Sequence, residues 1–192
     1  MSLTDKPLAG ITIMLDAGHG DYDSGAVGVA SGNGPLEKDL NLAVAQATKY
    51  LFEEYGATVI MTRDDDTFLT LDERRNLVRD KKPDFFISVH HNSMDYSYDS
   101  SNVKGSYCFY FNPQSEIFAQ NMVNYVSAAT GRRNRGAVND YYYVTRTDMV
   151  SVLMEYGFLI NREEYSSIYP DYEIYRAALG TVQAVCATLQ ES

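Results

Sequence analysis

The chain has no tryptophan, five prolines and only two cysteines in 192 residues. Two cysteines do not build a disulfide framework, and no C-x-x-C spacing is present, so a cysteine zinc site or a redox pair is excluded. Cys108 lies in the apolar run SYCFYF and Cys186 on the apolar face of the last helical pattern, so both read as buried free thiols. Positive charge is also scarce. Sixteen Lys and Arg face 26 Asp and Glu, a net charge of −10. That balance argues against a nucleic-acid binder, which needs a basic footprint, and against docking on anionic lipid by charge alone. No apolar run approaches the ~20 residues of a membrane helix, so no membrane insertion is expected. The opening MSLTDKPLAG lacks the apolar core of a secretory signal. Residues 1–7, with MSL as an expression scar, are expected to be tag or flexible lead.

What is present is an alternation of strand and helix patterns. Residues 11–15, 57–62, 85–89, 104–111 and 150–154 read as strands. Residues 37–55 place Leu40, Ala43, Val44, Ala47 and Leu51 on one helical face, and Gly56 ends that helix. A second helix spans 70–81 and stops before Pro83. A third opens at NPQSEIF, with the stripe Phe118, Met122, Tyr125, Val126 and Ala129, and closes at Gly131. The last, about 171–189, carries Tyr172, Tyr175, Leu179, Val182, Cys186 and Leu189. There is no internal repeat and no Pro/Ser-rich linker. The expectation is a single α/β domain from residue 8 to the end, with a twisted, mostly parallel sheet and helices on both faces. Two stretches read as long loops: NSMDYSYDSSNV, 92–103, and GRRNRGAVNDYYY, 131–143.

The three histidines are not scattered. His19 follows the first strand, and His90 and His91 end the third. Glu155 ends the strand VSVLME. In open α/β sheets, ligands collect at the carboxyl ends of strands. Successive strand residues point to opposite faces, so at most one of His90 and His91 shares a site with His19. Periodicity leaves open which one, because the strand is apolar on both sides. Two imidazoles and a carboxylate form a catalytic zinc shell with room for water, and a second carboxylate can serve as general base. Glu37 and Glu155 are available for those parts. Each residue also has a plainer reading: a turn histidine, a strand-end hydrogen bond, a helix first-turn glutamate favoured by the dipole, a structural ion pair. No H-E-x-x-H is present, so the site is not helix-borne. The glycine-rich AGHGDYDSGAVG lacks the Gly-Lys-Ser/Thr ending of a phosphate loop, its helix starts too late for a dinucleotide fold, and Asp16, Asp21 and Asp23 repel a pyrophosphate. An EF-hand spacing is likewise missing.

Four stretches in order, LDAGHGDYDSGAVG, LEKDLNLAVA, FFISVHHN and VLMEYGFLIN, resemble the zinc-dependent N-acetylmuramoyl-L-alanine amidases of the Amidase_3 type, which are cell-wall hydrolases. The resemblance runs from about residue 10 to 190. It implies His19, Glu37 and His90 as ligands of one Zn²⁺ per chain and Glu155 as the catalytic carboxylate, and so selects His90 over His91. Asn92 matches a family position and is expected to contact substrate. Asn161, Arg63 and Arg74 also match, without an assigned role. It implies residues 8–192 as the catalytic domain of a monomer that cuts the amide between N-acetylmuramic acid and L-alanine, meeting both stem peptide and glycan of peptidoglycan. Such an enzyme works outside the cell or in the wall; a phage lysin would also fit. Three departures stand out: His91 replaces a small residue and is expected to pack on the far face, Val150 replaces a proline, and DYDSG replaces the usual turn. None removes a ligand. Arg132, Arg133 and Arg135 would suit acidic stem peptides, although a solvated loop is the plainer reading. The competing classes are a non-catalytic peptidoglycan-binding module and a zinc peptidase or deacylase acting on another amide.

Overall fold

The structure, a computed structural model, describes residues 6–28, 35–94 and 100–191. The expected tag at 1–7 and the middle of the 92–103 loop therefore fall largely outside the described residues. Six strands form one sheet: β1 (Thr12–Ala17), β2 (Thr58–Met61), β3 (Phe85–Asn92), β4 (Ser106–Tyr110), β5 (Asn134–Asn139) and β6 (Val150–Phe158). Their order is β2-β1-β3-β6-β4-β5. All neighbours run parallel except β4 and β6, which are antiparallel. Among the described residues the α-helices are α1 (Glu37–Glu54), α2 (Leu71–Lys81), α3 (Glu116–Thr130), α4 (Arg162–Ile168) and α5 (Asp171–Glu191).

Strand alternation sorts the side chains onto two faces. Ile13 and Leu15 of β1, Ile87 and Val89 of β3, and Val152, Met154 and Tyr156 of β6 join the larger core, together with α1, α3 and α5. Met14, Phe86 and Leu153 point the other way and meet Val78 of α2 and Val144. Helices thus cover both faces, as expected for an α/β sheet. Tyr156, fully buried, satisfies its hydroxyl with Thr181 at 2.6 Å. Thr70 caps α2, its Oγ1 accepting from the Glu73 N–H at 3.2 Å while Glu73 accepts from the Thr70 N–H at 2.8 Å.

Three expectations need correction. The stretch 131–143 is not one loop, because β5 lies inside it and forms the sheet edge beside β4. Residues 162–168 form a helix that the pattern did not reveal, and Asn161 is its cap. Tyr125, Tyr172 and Tyr175 lie at the helix surface, not in the apolar stripes: Tyr172 is 63% exposed. Long tyrosine side chains carry a polar tip, so helical spacing alone does not bury them.

Candidate metal centre and catalytic cavity

The polar members of the smaller face lie at the strand ends. In β3 the sequence Phe86, Ser88, His90 points one way, and in β1 Met14 is followed by Asp16 on the same side. In β6 Leu153 is followed by Glu155. The register pairs Asp16 with Ser88 and His90 with Glu155. A cavity of about 440 Å³ opens over these residues, lined also by His19, Glu37 and Asn92.

His19, Glu37 and His90 each present one ligand atom, all within 4.8 Å of one another, and among the described residues they are the one group of three so placed. Glu37 Oε1 lies 3.1 Å from His19 Nε2 and 2.9 Å from His90 Nδ1. The chain geometry that produces this is local. β1 ends at Ala17, and Gly18 passes so close to His90 that a Cβ there would sit 2.2 Å from its ring. His19 then takes the left-handed conformation (φ 64°), which turns its ring back over the strand ends. Glu37 is the first residue of α1, where the helix dipole favours a carboxylate.

Each ligand is held from behind. Asp23 Oδ2 receives His19 Nδ1 at 2.8 Å, which leaves Nε2 for a ligand position. Glu37 Oε2 accepts the Ala26 N–H at 2.8 Å. Asn41 Nδ2 donates to Glu37 Oε1 at 3.3 Å, and Asn41 Oδ1 pairs with His91 Nδ1 at 2.8 Å. His91 does lie on the far face, as alternation requires, yet it is not merely packed there. It orients the amide that touches Glu37. Burial drives its pKa down to about 3, so it is a neutral partner at ordinary pH.

Beneath the histidine loop lies a buried ion pair. Arg74 Nη1 reaches Asp16 Oδ1 at 2.5 Å and donates to the Ala17 carbonyl at 2.8 Å, while Nη2 donates to the His19 carbonyl at 2.8 Å. Ser88 and Thr62 donate to Asp16 as well. Burial alone would raise the Asp16 pKa, but Arg74 and these hydroxyls hold it below the usual carboxylate range. Arg63 clamps the carbonyls of Ala17, Gly18 and Lys38. The two arginines left without a role thus fix the loop that aims His19.

Electrostatics separates the two glutamates. Burial would raise the Glu37 pKa, yet hydrogen bonds from His19 and His90 outweigh it and keep Glu37 ionised. Burial also opposes charge on His19, while Glu37 and Asp23 raise its pKa. Glu155 has no such help. Burial first, then the charge of Glu37, push it well above the carboxylate range, and its Oε2 is buried without a hydrogen-bond partner among the described residues. The donor set, two imidazoles and a carboxylate, is the one zinc takes in catalytic sites. A dication on it would reverse the repulsion that Glu155 now meets. The residues present fit the metal.

Asn92 lines the cavity, half-buried, with its Oδ1 accepting the Ser93 N–H at 2.7 Å. Asn161 is not in the cavity; it caps α4, Oδ1 accepting the Glu164 N–H at 2.9 Å, and its Nδ2 donates to the Ser100 and Ser101 carbonyls. The basic stretch also divides. Arg132 is buried against Glu173 at 3.4 Å, Arg135 stacks on Tyr107 and Phe158, and neither lines the cavity. Tyr142 and Tyr143 do line it, together with Phe68 and Leu71. Tyr142 is the residue that sequence reasoning missed here: burial, then the nearby Glu155, raise its phenol pKa.

The sequence profile of the N-acetylmuramoyl-L-alanine amidase family matches residues 13–186. N-acetylmuramoyl-L-alanine amidase LytC of Bacillus subtilis (strain 168) is 35% identical over 186 residues, which cover 92% of this chain and 36% of LytC. The probable cell wall amidase LytH of Staphylococcus epidermidis is 38% identical over 168 residues, covering 87% of this chain and 54% of LytH. The chain therefore spans about a third to a half of the length of these two relatives. In three dimensions it is similar to the catalytic domain of CwlV, an N-acetylmuramoyl-L-alanine amidase from Bacillus (Paenibacillus) polymyxa var. colistinus. The TM-score is 0.87 at 34% identity, covering 95% of this chain and 99% of that domain.

Proposed function

This chain belongs to the N-acetylmuramoyl-L-alanine amidase family, and on that premise we propose that it is a zinc-dependent hydrolase of the amide joining N-acetylmuramic acid to L-alanine in peptidoglycan. The observation that carries the reading is one cavity holding the convergent His19, Glu37 and His90 and the buried, unpartnered Glu155. Residues 8–192 act as the catalytic domain, and the enzyme acts outside the cytoplasm, where its substrate lies.

In this reading His19, Glu37 and His90 hold one zinc ion. When bound, zinc supplies Lewis acidity, polarising a carbonyl and acidifying water. Glu155 takes a proton from the attacking water and delivers it to the leaving L-alanine amine. Its carboxyl is buried beside the ligand set with one oxygen unpartnered among the described residues, so it is free to take and return a proton there. Asn92, on the cavity lining, contacts substrate through its side-chain amide. The aromatic and aliphatic wall of Phe68, Leu71, Tyr142 and Tyr143 keeps water from the leaving group's flank and seats the uncharged parts of the substrate.

The test has two parts. Elemental mass spectrometry of protein purified without added metal should find about one zinc per chain, removable by chelator. Mass analysis of digested peptidoglycan should then find free glycan and intact stem peptides that begin with a free L-alanine amine. Cleavage inside the stem peptide would make the protein a zinc peptidase instead. Binding without turnover would make it a peptidoglycan-binding module.

A further inference from the structure

The wall of the catalytic cavity has an outer side. Leu71 and Arg74 of α2 line the cavity, whereas Asp72, Arg75 and Arg79 of the same helix line a second depression of about 290 Å³. Lys82 and Arg146 complete its charged lining, with Asp148. Four cations thus meet two carboxylates, in a chain whose net charge is −10. Some cations elsewhere find carboxylates, as in Lys38–Asp66 and Arg132–Glu173, while others, such as Arg63 and Arg135, spend their N–H groups on backbone carbonyls. Here Arg75, Lys82 and Arg146 make no ion pair among the described residues. Arg79 pairs with its exposed neighbour Asp80.

The two arginines are nonetheless held in place. The Arg75 guanidinium lies 4.4 Å over the Tyr143 ring and that of Arg146 lies 4.3 Å over Tyr141, whose hydroxyl accepts from Arg146. Both Nε atoms are buried with no hydrogen-bond partner among the described residues. Positioned guanidinium groups without a counterion are a carboxylate or phosphate receptor. Tyr143 joins this groove to the cavity: it lines the cavity wall while its hydroxyl donates to Asp72 at 2.5 Å on the groove side.

We propose that this groove binds a carboxylate of the substrate's stem peptide, beyond the L-alanine whose amide is cut. The inference rests on the amidase reading above. Of the two sides of that amide, the sugar side is uncharged near the bond, and the peptide side continues into residues that carry free carboxylates. Only the peptide can bring an anion over the α2 ridge. A helix is ~10 Å across and an extended peptide advances ~3.3 Å per residue, so about three residues span the ridge. The groove therefore reads the stem peptide at a distance, through its charge.

The experiment compares Lys82→Asn/Arg146→Gln with the unmodified chain. Lys82 has φ 47°, a conformation asparagine accepts, and neither residue lines the catalytic cavity. A second variant, Arg79→Gln at an exposed position, guards against misfolding of the first, and circular dichroism checks both. KM and kcat are measured on a soluble muramoyl tetrapeptide with free carboxylates and on its fully amidated counterpart. On the free acid the double variant should raise KM about tenfold with kcat within twofold, and on the amide it should match the unmodified chain. An unchanged KM on the free acid, or an equal rise on both substrates, overturns the inference and leaves the amidase reading standing. A variant that loses glycerol-phosphate oligomer binding while its muropeptide KM holds makes the groove a phosphodiester site, which also overturns it. No turnover by the unmodified chain on either peptide overturns both.

Discussion

His91 makes a sharp prediction about acid stability. It is buried and neutral, with a pKa of about 3 against an ordinary 6.5, because burial penalises its cation more than the charge of Glu37 favours it. Below pH 6.5 the unfolded chain binds a proton at this residue that the folded chain refuses. Stability therefore falls as pH drops from about 6.5 toward about 3, and is unaffected by this group at higher pH. With those two values the loss at pH 5 is RT ln[(1 + 10^1.5)/(1 + 10^−2)], about 2 kcal/mol. In His91→Gln the amide still donates to Asn41 but cannot take up a proton, so this slope disappears. The two proteins, both metal-free in chelator so that proton-linked metal release plays no part, are unfolded in urea from pH 8 to 5. Tyrosine fluorescence reports the transition, since the chain has 16 tyrosines and no tryptophan. All other ionisable groups are common to the two proteins and cancel in the difference. The unmodified protein should lose about 2 kcal/mol more than the variant between pH 7 and 5, a gap of about 4–8 °C in Tm. Parallel stability curves over that range would refute the assignment of a buried neutral His91.

Three further outcomes follow from the geometry. Glu155→Gln should keep about one zinc per chain and lose about 10²–10⁴-fold in kcat, and near-normal turnover would remove Glu155 from the chemistry. Arg74→Met leaves the carboxylate of Asp16 buried without its cation and should cost about 3–5 kcal/mol in urea unfolding. Because the Asp16 pKa is held down in the fold, that contribution is present above its ordinary 3.8 and is lost as pH falls below it, so the variant's deficit should shrink in acid. A deficit that grew in acid would contradict this. Gly25 has φ 62°, and a Cβ there would lie 2.6 Å from both Glu37 Oε2 and His19 Cδ2. Gly25→Ala should therefore weaken zinc about 10–100-fold in chelator competition, as displaced ligand supports do. Unchanged affinity would mean that the ligands yield freely.

Much of this architecture is legible in the sequence because burial dictates it. The runs TIML, FFIS and VSVLM are apolar on both faces and have nowhere to go but a covered sheet. β5 is different: NRGAVN is polar because it is an edge strand, with only Ala137 and Val138 among its apolar contributions, so no periodicity marks it. The cap signal for α4 was present, with Asn161 three residues before Glu164, but a seven-residue helix offers no stripe to read. For the site, the rule that ligands gather at strand ends located His19, His90 and Glu155. The choice of His90 over His91 was not written in the periodicity, because the strand is apolar on both sides; the resemblance selected it. The structure shows the reason: Ser88 donates to buried Asp16, and His90 lies on that same side of β3. Asp23 and Asn41 were not legible, since their work depends on where the loop and α1 come to lie.

β6 is the last strand to be synthesised, yet it fills the middle of the sheet, between β3 and β4. Glu155 meets His90 on one flank and Tyr107 on the other. A chain still emerging, or truncated before residue 150, carries His19, Glu37 and His90 but has a gap in the sheet where Glu155 belongs. Closing that gap joins residues 65 positions apart, the kind of distant pairing that slows folding. The strand made last is thus the one that joins the two halves of the sheet, and it alone brings the buried carboxylate of Glu155 beside His90.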